Sequence, residues 1–368
     1  MEKAFSRKLF VKAILAASCA ALPCIGVVAQ DKDGAKQKKQ KSAKKESSWD
    51  AKLVEVKSSA DGTMQPCWYW APGKAAETAV PLIVGLHTWS YDYKSVKSYS
   101  AALNEAKRRG WAFVGPNFRG PNSTPAGCGS ELAVQDIEDA VEYAKKNCKI
   151  DADRVYIVGG SGGGHMTLLM LGSRPGLFAA GSAFCPITDL ARWHADSLLK
   201  HPGRGKGYAK MMESACGGTP AERAEEYAKR SPLTWLHAAK AAKTPVYIAT
   251  GIHDGWTGSV PVGHAIRAFN ALCEKGAEVS EAHIAAIEEK RAIPSDLESE
   301  NVKDPFYNQK KHIHFRRTSG NVRLTLFEGG HSGNFPAGVD FMSRQRRGAP
   351  VDWALPSKAK GGVENLTR

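Results

Sequence analysis

Asp153-Arg154-Val155-Tyr156-Ile157-Val158-Gly159-Gly160-Ser161-Gly162-Gly163-Gly164-His165 runs from an apolar stretch straight into a glycine-flanked serine. Residues 155–158 fit a strand buried on both faces, and residues 168–171 fit the helix that follows. Between them stands G-x-S-x-G. A serine on so sharp a strand-to-helix turn takes a strained backbone, and side chains at Gly159 or Gly163 would clash. The turn holds the hydroxyl clear of the sheet. It also aims the Gly162 amide and the positive helix end at developing negative charge. A phosphate-binding glycine loop is the rival reading. It lacks the lysine of G-x-x-x-x-G-K-[ST], although Asp189 sits near the spacing a dinucleotide fold asks of its acidic residue.

Strands and helices alternate on both sides of this stretch. Residues 53–57 and 64–70 alternate in polarity around Ala60-Asp61-Gly62, which reads as a hairpin. Residues 80–86, 111–114, 178–184, 245–249 and 322–327 are further apolar strand candidates. Helical spacing appears over 95–109 (with Gly110 as its stop), 131–148, 260–273 and 282–291. Repeated strand–helix–strand order implies an α/β architecture: a mostly parallel eight-stranded sheet flanked by helices. Two charged stretches, 190–240 and 275–320, interrupt the rhythm and read as insertions, the first as a small lid.

A serine nucleophile needs a base, and the base an orienting acid. With this elbow the chain order is serine, acid, histidine. Thr250-Gly251-Ile252-His253-Asp254-Gly255 follows one strand candidate, and Glu328-Gly329-Gly330-His331-Ser332-Gly333 follows the next. Ser161, Asp254 and His331 therefore fall after parallel strands at one rim. Asp189 is the alternative acid. The second oxyanion donor is expected from His87-Thr88-Trp89, with the Trp89 amide first and Thr88 second. Arg119, His165, Trp193 and Trp256 are the pocket candidates, since aromatic faces suit sugar rings and an arginine suits a carboxylate. His312-Ile313-His314 resembles a metal pair but shows no third ligand in sequence, so neither a metal nor an organic cofactor is expected.

The ends have their own logic. Residues 1–29 order basic, apolar and small residues as a secretory signal does, with cleavage after Ala29 and export to the periplasm or beyond. The formal charge of +14 concentrates in the tails: residues 30–48 alone carry seven lysines, while 49–340 hold only +3. That distribution suits a basic tether, and no nucleic-acid motif accompanies it. No later segment is apolar enough to span a bilayer. Six cysteines remain after the signal, which makes disulfides plausible in an exported chain. The division is thus signal 1–29, tether 30–48, domain 49–345 and tail 346–368; the sequence does not address oligomeric state.

Asn117-Phe118-Arg119-Gly120, the elbow with Asp151 through Met166, Arg230-Ser231-Pro232, the Asp254 loop and Gly330-His331 together resemble the prolyl oligopeptidase-like branch of α/β hydrolases and neighbouring acetyl esterases. The likeness spans roughly residues 78–345. It implies a serine, aspartate and histidine at Ser161, Asp254 and His331. Oligopeptidases of that branch carry a propeller before the hydrolase domain, whereas fewer than fifty residues separate the tether from Val80 here. The expectation is an exported esterase acting on a small-molecule or polysaccharide ester. A prolyl oligopeptidase-type peptidase is the alternative, and an inactive hydrolase-fold binding protein the reading from another class.

Overall fold

The computed structural model describes residues 49–200, 205–358 and 364–365, so the expected signal peptide and tether lie outside the described residues. The chain opens on the expected hairpin, β1 (Lys52–Lys57) against β2 (Met64–Trp70), antiparallel and in register Lys52 to Tyr69. Its turn is closed by Asp61, whose carboxylate accepts from the Thr63 amide at 3.1 Å. Then β3 (Val80–Leu86), β4 (Ala112–Pro116), β5 (Ile150–Gly160), β6 (Ala180–Phe184), β7 (Val246–Gly251), β8 (Ile313–Ser319) and β9 (Val322–Phe327) complete one sheet. Its order is β1-β2-β4-β3-β5-β6-β7-β9-β8, parallel from β4 to β9 and antiparallel at both edges.

Residues in β3, β4, β6, β7 and β9 are buried along the whole strand, as double coverage by helices requires. Alternation sorts their side chains between two cores. Leu82, Val84, Val155 and Ile157 pack against α2 (Glu131–Asn147), α3 (Gly162–Ser173) and α8 (Gly263–Leu272). Ile83, Tyr156 and Val158 face α1 (Lys97–Arg109) and α10 (Phe335–Ser343). Gly110 ends α1 in the left-handed region at φ 67°, with its amide on the carbonyls of Ala106 and Lys107, as the sequence suggested.

The insertion at 190–240 forms α4 (Leu190–Lys200), α5 (Gly205–Cys216), α6 (Ala224–Lys229) and α7 (Pro232–Ala241). Leu190, Trp193, Met212, Ala215, Cys216 and Tyr227 of this segment share a small separate core with Trp89 and Cys128. It is a packed cap over the loop after β3.

Two expectations, the strand count and the disulfides, need correction. The sheet has nine strands rather than eight, because β8 lies within the stretch read as an insertion. Its sequence, Ile-His-Phe-Arg-Arg-Thr-Ser, hides the strand behind two arginines. Arg316 nevertheless points inward, wholly buried, with its guanidinium 2.8 Å from Asp304 and 3.0 Å from Thr325 Oγ1. The tail packs on the domain at Trp353: its ring stacks on Phe341 at 4.6 Å, and the Arg323 guanidinium lies 4.5 Å above it. All six cysteines of the described residues are free thiols, so the expected disulfides are absent among them.

The buried Arg316–Asp304 pair generates a stability test. Removing one partner strands a charge out of water, at a cost of about 3–5 kcal/mol, whereas replacing both by apolar groups is often close to neutral. Asp304→Ala should lower the urea midpoint sharply, and Arg316→Met with Asp304→Ala should recover most of the loss. Equal midpoints for Asp304→Ala and the parent chain would contradict this account of the edge strand.

Candidate active site

At the carboxyl end of β5 the backbone turns through Ser161 at φ 57° and ψ −120°, a conformation that L-residues avoid. The reason lies in its neighbours. A Cβ at Gly159 would overlap the Gly163 backbone, and one at Gly163 would meet the Leu86 carbonyl at 2.7 Å. Strand and helix can approach so closely only without side chains there, and their approach forces the strain into Ser161. The Ser161 amide donates to the Phe184 carbonyl at 2.8 Å, tying the elbow to the end of β6.

The loops after β7 and β9 meet on the other side of that same strand end. His253 N donates to the Gly329 carbonyl at 3.0 Å, and Ile252 N to the Phe327 carbonyl at 2.9 Å. These ladder extensions bring Asp254 and His331 together: His331 Nδ1–H donates to Asp254 Oδ2 at 2.8 Å, with both residues buried. The carboxylate is fully employed. Its Oδ1 accepts from the amides of Gly255 (2.9 Å) and Val260 (3.3 Å), and its Oδ2 also takes the Thr250 hydroxyl at 3.3 Å. Gly258 sits between the partners, and a side chain there would overlap both the Asp254 carboxylate and His331 Cβ. The sequence reading passed over Thr250 and Gly258, and nothing in their spacing marks them.

Burial opposes charge on His331, but the Asp254 carboxylate and, after it, the Cys185 sulfur outweigh that effect and hold the imidazole well above its ordinary pKa of 6.5. The pair therefore stabilises the fold fully below pH 6.5 and loses that contribution as pH rises through the folded-state value.

Opposite the elbow, the loop after β3 runs so close that a Cβ at Gly162 would overlap the Trp89 amide nitrogen and Cα. The backbone amides of Gly162 and Trp89 are thereby neighbours at the start of α3, where the helix dipole is also positive. Trp89, rather than Thr88, holds the adjacent position. The loop is braced by His87, whose ring stacks on Phe118 at 3.8 Å and reaches the carbonyls of Thr88 and Asn117, each at 2.9 Å.

A profile of the Prolyl oligopeptidase family matches residues 99–291, more than half of the chain. The chain belongs to the prolyl oligopeptidase family. Acylamino-acid-releasing enzyme 1 of Oryza sativa subsp. japonica is 28% identical over 218 residues, covering 57% of this chain and 27% of that protein. Dipeptidyl aminopeptidase BIII of Pseudoxanthomonas mexicana is 30% identical over 190 residues, covering 49% and 26% respectively. The chain thus spans about a quarter of the length of the curated relatives it matches. Among solved structures, Pyrococcus horikoshii acylaminoacyl peptidase aligns at 21% identity and a TM-score of 0.46, over 60% of this chain and 34% of that one.

Within this prolyl oligopeptidase-family chain the other expected site residues divide by what they touch. Asp189 accepts from the Arg192 amide at 3.0 Å in the first turn of α4, so it is not the acid beside His331. Arg119 is committed to structure: it grips Asp136 at 2.5 and 3.0 Å, Asp61 at 2.7 and 3.1 Å and Ser58 at 3.0 Å, which removes it as a carboxylate receptor. His165 is wholly buried, with Nε2 2.7 Å from the Arg230 carbonyl, and burial pushes its pKa down to about 4. The Arg230 guanidinium in turn donates to the carbonyls of Gly127 (2.8 Å) and Pro125 (3.0 Å). Trp193 is buried too, packed edge-on against Trp89 at 4.7 Å, with its indole N–H donating to the Ser259 carbonyl at 2.8 Å. Trp256 alone of the four is open, 54% exposed beside the Asp254 loop, with Arg291 4.3 Å above its ring.

A cleft of about 550 Å³ lined by Phe178, Pro245, Asn321 and Arg347 lies at the amino ends of β6, β7 and β9. Ser161, Asp254 and His331 stand at the carboxyl ends, where open α/β sheets bind their ligands.

Three measurements follow from the acid–base pair. Because a general base works as neutral imidazole, kcat/KM should rise with pH along a limb whose midpoint lies above 6.5; a midpoint at or below that value would contradict the geometry. Asp254→Asn keeps the shape but frees the wrong tautomer, and should lower kcat by roughly 10⁴-fold with little change in KM. Glycine is equally constrained at 258: Gly258→Ala should separate the pair and cut kcat by more than tenfold, read against unchanged circular dichroism.

Proposed function

We propose that this chain is a serine peptidase that hydrolyses amide bonds near the ends of short peptides through an acyl-enzyme on Ser161. The observation that carries the reading is the buried His331–Asp254 hydrogen bond at 2.8 Å, in the same loop cluster as a serine strained to φ 57°. Ser161 Oγ attacks the substrate carbonyl while His331 takes its proton. Asp254 keeps the imidazole in the right tautomer and stabilises the imidazolium. The tetrahedral oxyanion accepts from the amides of Gly162 and Trp89, each contributing about 3 kcal/mol to lowering the barrier. His331 then returns the proton to the leaving amine, and water repeats the sequence on the acyl-enzyme to release the acid.

Membership in the prolyl oligopeptidase family, and relatives named for releasing acylamino acids and for dipeptidyl aminopeptidase activity, favour peptide ends over the carbohydrate ester that the sequence first suggested. Trp256 is the one exposed aromatic of the expected pocket set, and the adjoining Arg291 suits a substrate carboxylate. Residues 1–29 are proposed to direct export, which N-terminal sequencing checks: a mature chain from the periplasm or medium should begin at Gln30.

The assignment is tested with a fluorophosphonate probe and a substrate panel. The parent chain should label at Ser161 and hydrolyse N-acetylalanyl and dipeptidyl p-nitroanilides faster than it deacetylates xylan. Ser161→Ala should lower turnover by roughly 10⁴-fold or more. Turnover of acetylated xylan without any amide hydrolysis would overturn the peptidase assignment, and a folded chain that does not label would point to a binding module.

A further inference from the structure

His312-Ile313-His314 lacks a third ligand in sequence, but the fold supplies one. His312 precedes β8 and His314 lies two residues on, so strand alternation turns both imidazoles to the same side of the sheet edge. Their ring centroids are 4.3 Å apart. Across the ladder Ile313 pairs with Phe327, and the Glu328 amide donates to the His312 carbonyl at 2.8 Å. That register brings the Glu328 carboxylate to both rings. Oε2 lies 2.7 Å from His314 Nε2, and Oε1 lies 2.9 Å from His253 Nε2. One ligand atom from each of His312, His314 and Glu328 falls within 4.8 Å of the other two.

We propose that His312, His314 and Glu328, the last braced by its contact to His253, form a binding site for a divalent cation of the zinc class. Imidazole nitrogen and carboxylate oxygen are donors that this class prefers, at about 2.0–2.2 Å from the ion. Tetrahedral geometry then separates the ligand atoms by about 3.3 Å. The observed separations among His312, His314 and Glu328, from 2.7 Å to within 4.8 Å, bracket that value. His312 is exposed, so solvent reaches the site.

The location gives the site a consequence. His253 adjoins Asp254, and Glu328 stands three residues before His331. A bound cation would therefore fasten the edge strand to both loops that carry the acid–base pair. Metal ligation here is independent of what the enzyme hydrolyses.

The test uses the full chain stripped with EDTA and titrated with zinc chloride, followed by calorimetry and thermal unfolding. About one ion per chain should bind at micromolar or lower concentration and raise the unfolding temperature. His312→Ala with His314→Ala should weaken binding at least tenfold and abolish the thermal shift, with circular dichroism unchanged. Cys185→Ala serves as the control, because Cys185, Asp254 and His331 form a second, buried group of ligand-type atoms; this variant should bind zinc as the parent does. No binding by the parent at hundred-micromolar zinc, equal binding by the double-histidine variant, or loss of binding in Cys185→Ala would each overturn the proposal.

Discussion

A buried hydrogen bond between a carboxylate and an imidazole constrains this molecule more than any other contact. Neither Asp254 nor His331 belongs to a regular element, and each is carried by a loop that its own strand only launches. Burying the two groups is unfavourable unless every lone pair of the acid finds a donor. The fold meets that condition with Thr250 at the end of β7 and Gly255 and Val260 of the loop that bears Asp254. The parallel pairing of β7 with β9 extends into both loops, so register, turn geometry and the bond itself are one constraint.

Strain at Ser161 belongs to the same design. Holding a non-glycine residue there costs on the order of 1–3 kcal/mol, and the packing of α3 on β5 and β6 over-determines it. Strain and burial are both concentrated at the carboxyl end of β6, where the Phe184 carbonyl receives the Ser161 amide and Cys185 Sγ–H donates to the Ser332 carbonyl at 3.0 Å. The cap adds a third element. Through Trp89 and Trp193 its core rests on the loop expected to complete the oxyanion site, so movement of α4 or α5 would be felt there.

The fold was legible wherever chemistry forces a local pattern. Gly-x-Ser-x-Gly admits few other uses after a buried strand, and the order of Ser161, Asp254 and His331 follows from parallel topology. What escaped reading was what depends on partners distant in sequence. Arg316 counted among the charges of 275–320, its partner Asp304 twelve residues away, and with it a whole edge strand was missed. Arg119 and His165 have the side chains of a binding site, but Asp61, Asp136 and the Arg230 carbonyl had already claimed them. The cysteines followed a compartment rule that says nothing about which thiols meet. Glu328 beside His314 is the same lesson in reverse, a pair that only strand register reveals.

The central claim is that one hydroxyl, one imidazole and two amides converge on a single reacting carbon. A crystal structure of the phosphonylated chain tests it most directly, because the adduct mimics the tetrahedral intermediate. Phosphorus should be bonded to Ser161 Oγ, with its free oxygen about 2.7–3.1 Å from the amide nitrogens of both Gly162 and Trp89 and His331 Nε2 facing Oγ. An adduct on another residue, or an oxygen turned away from both amides, would contradict the account.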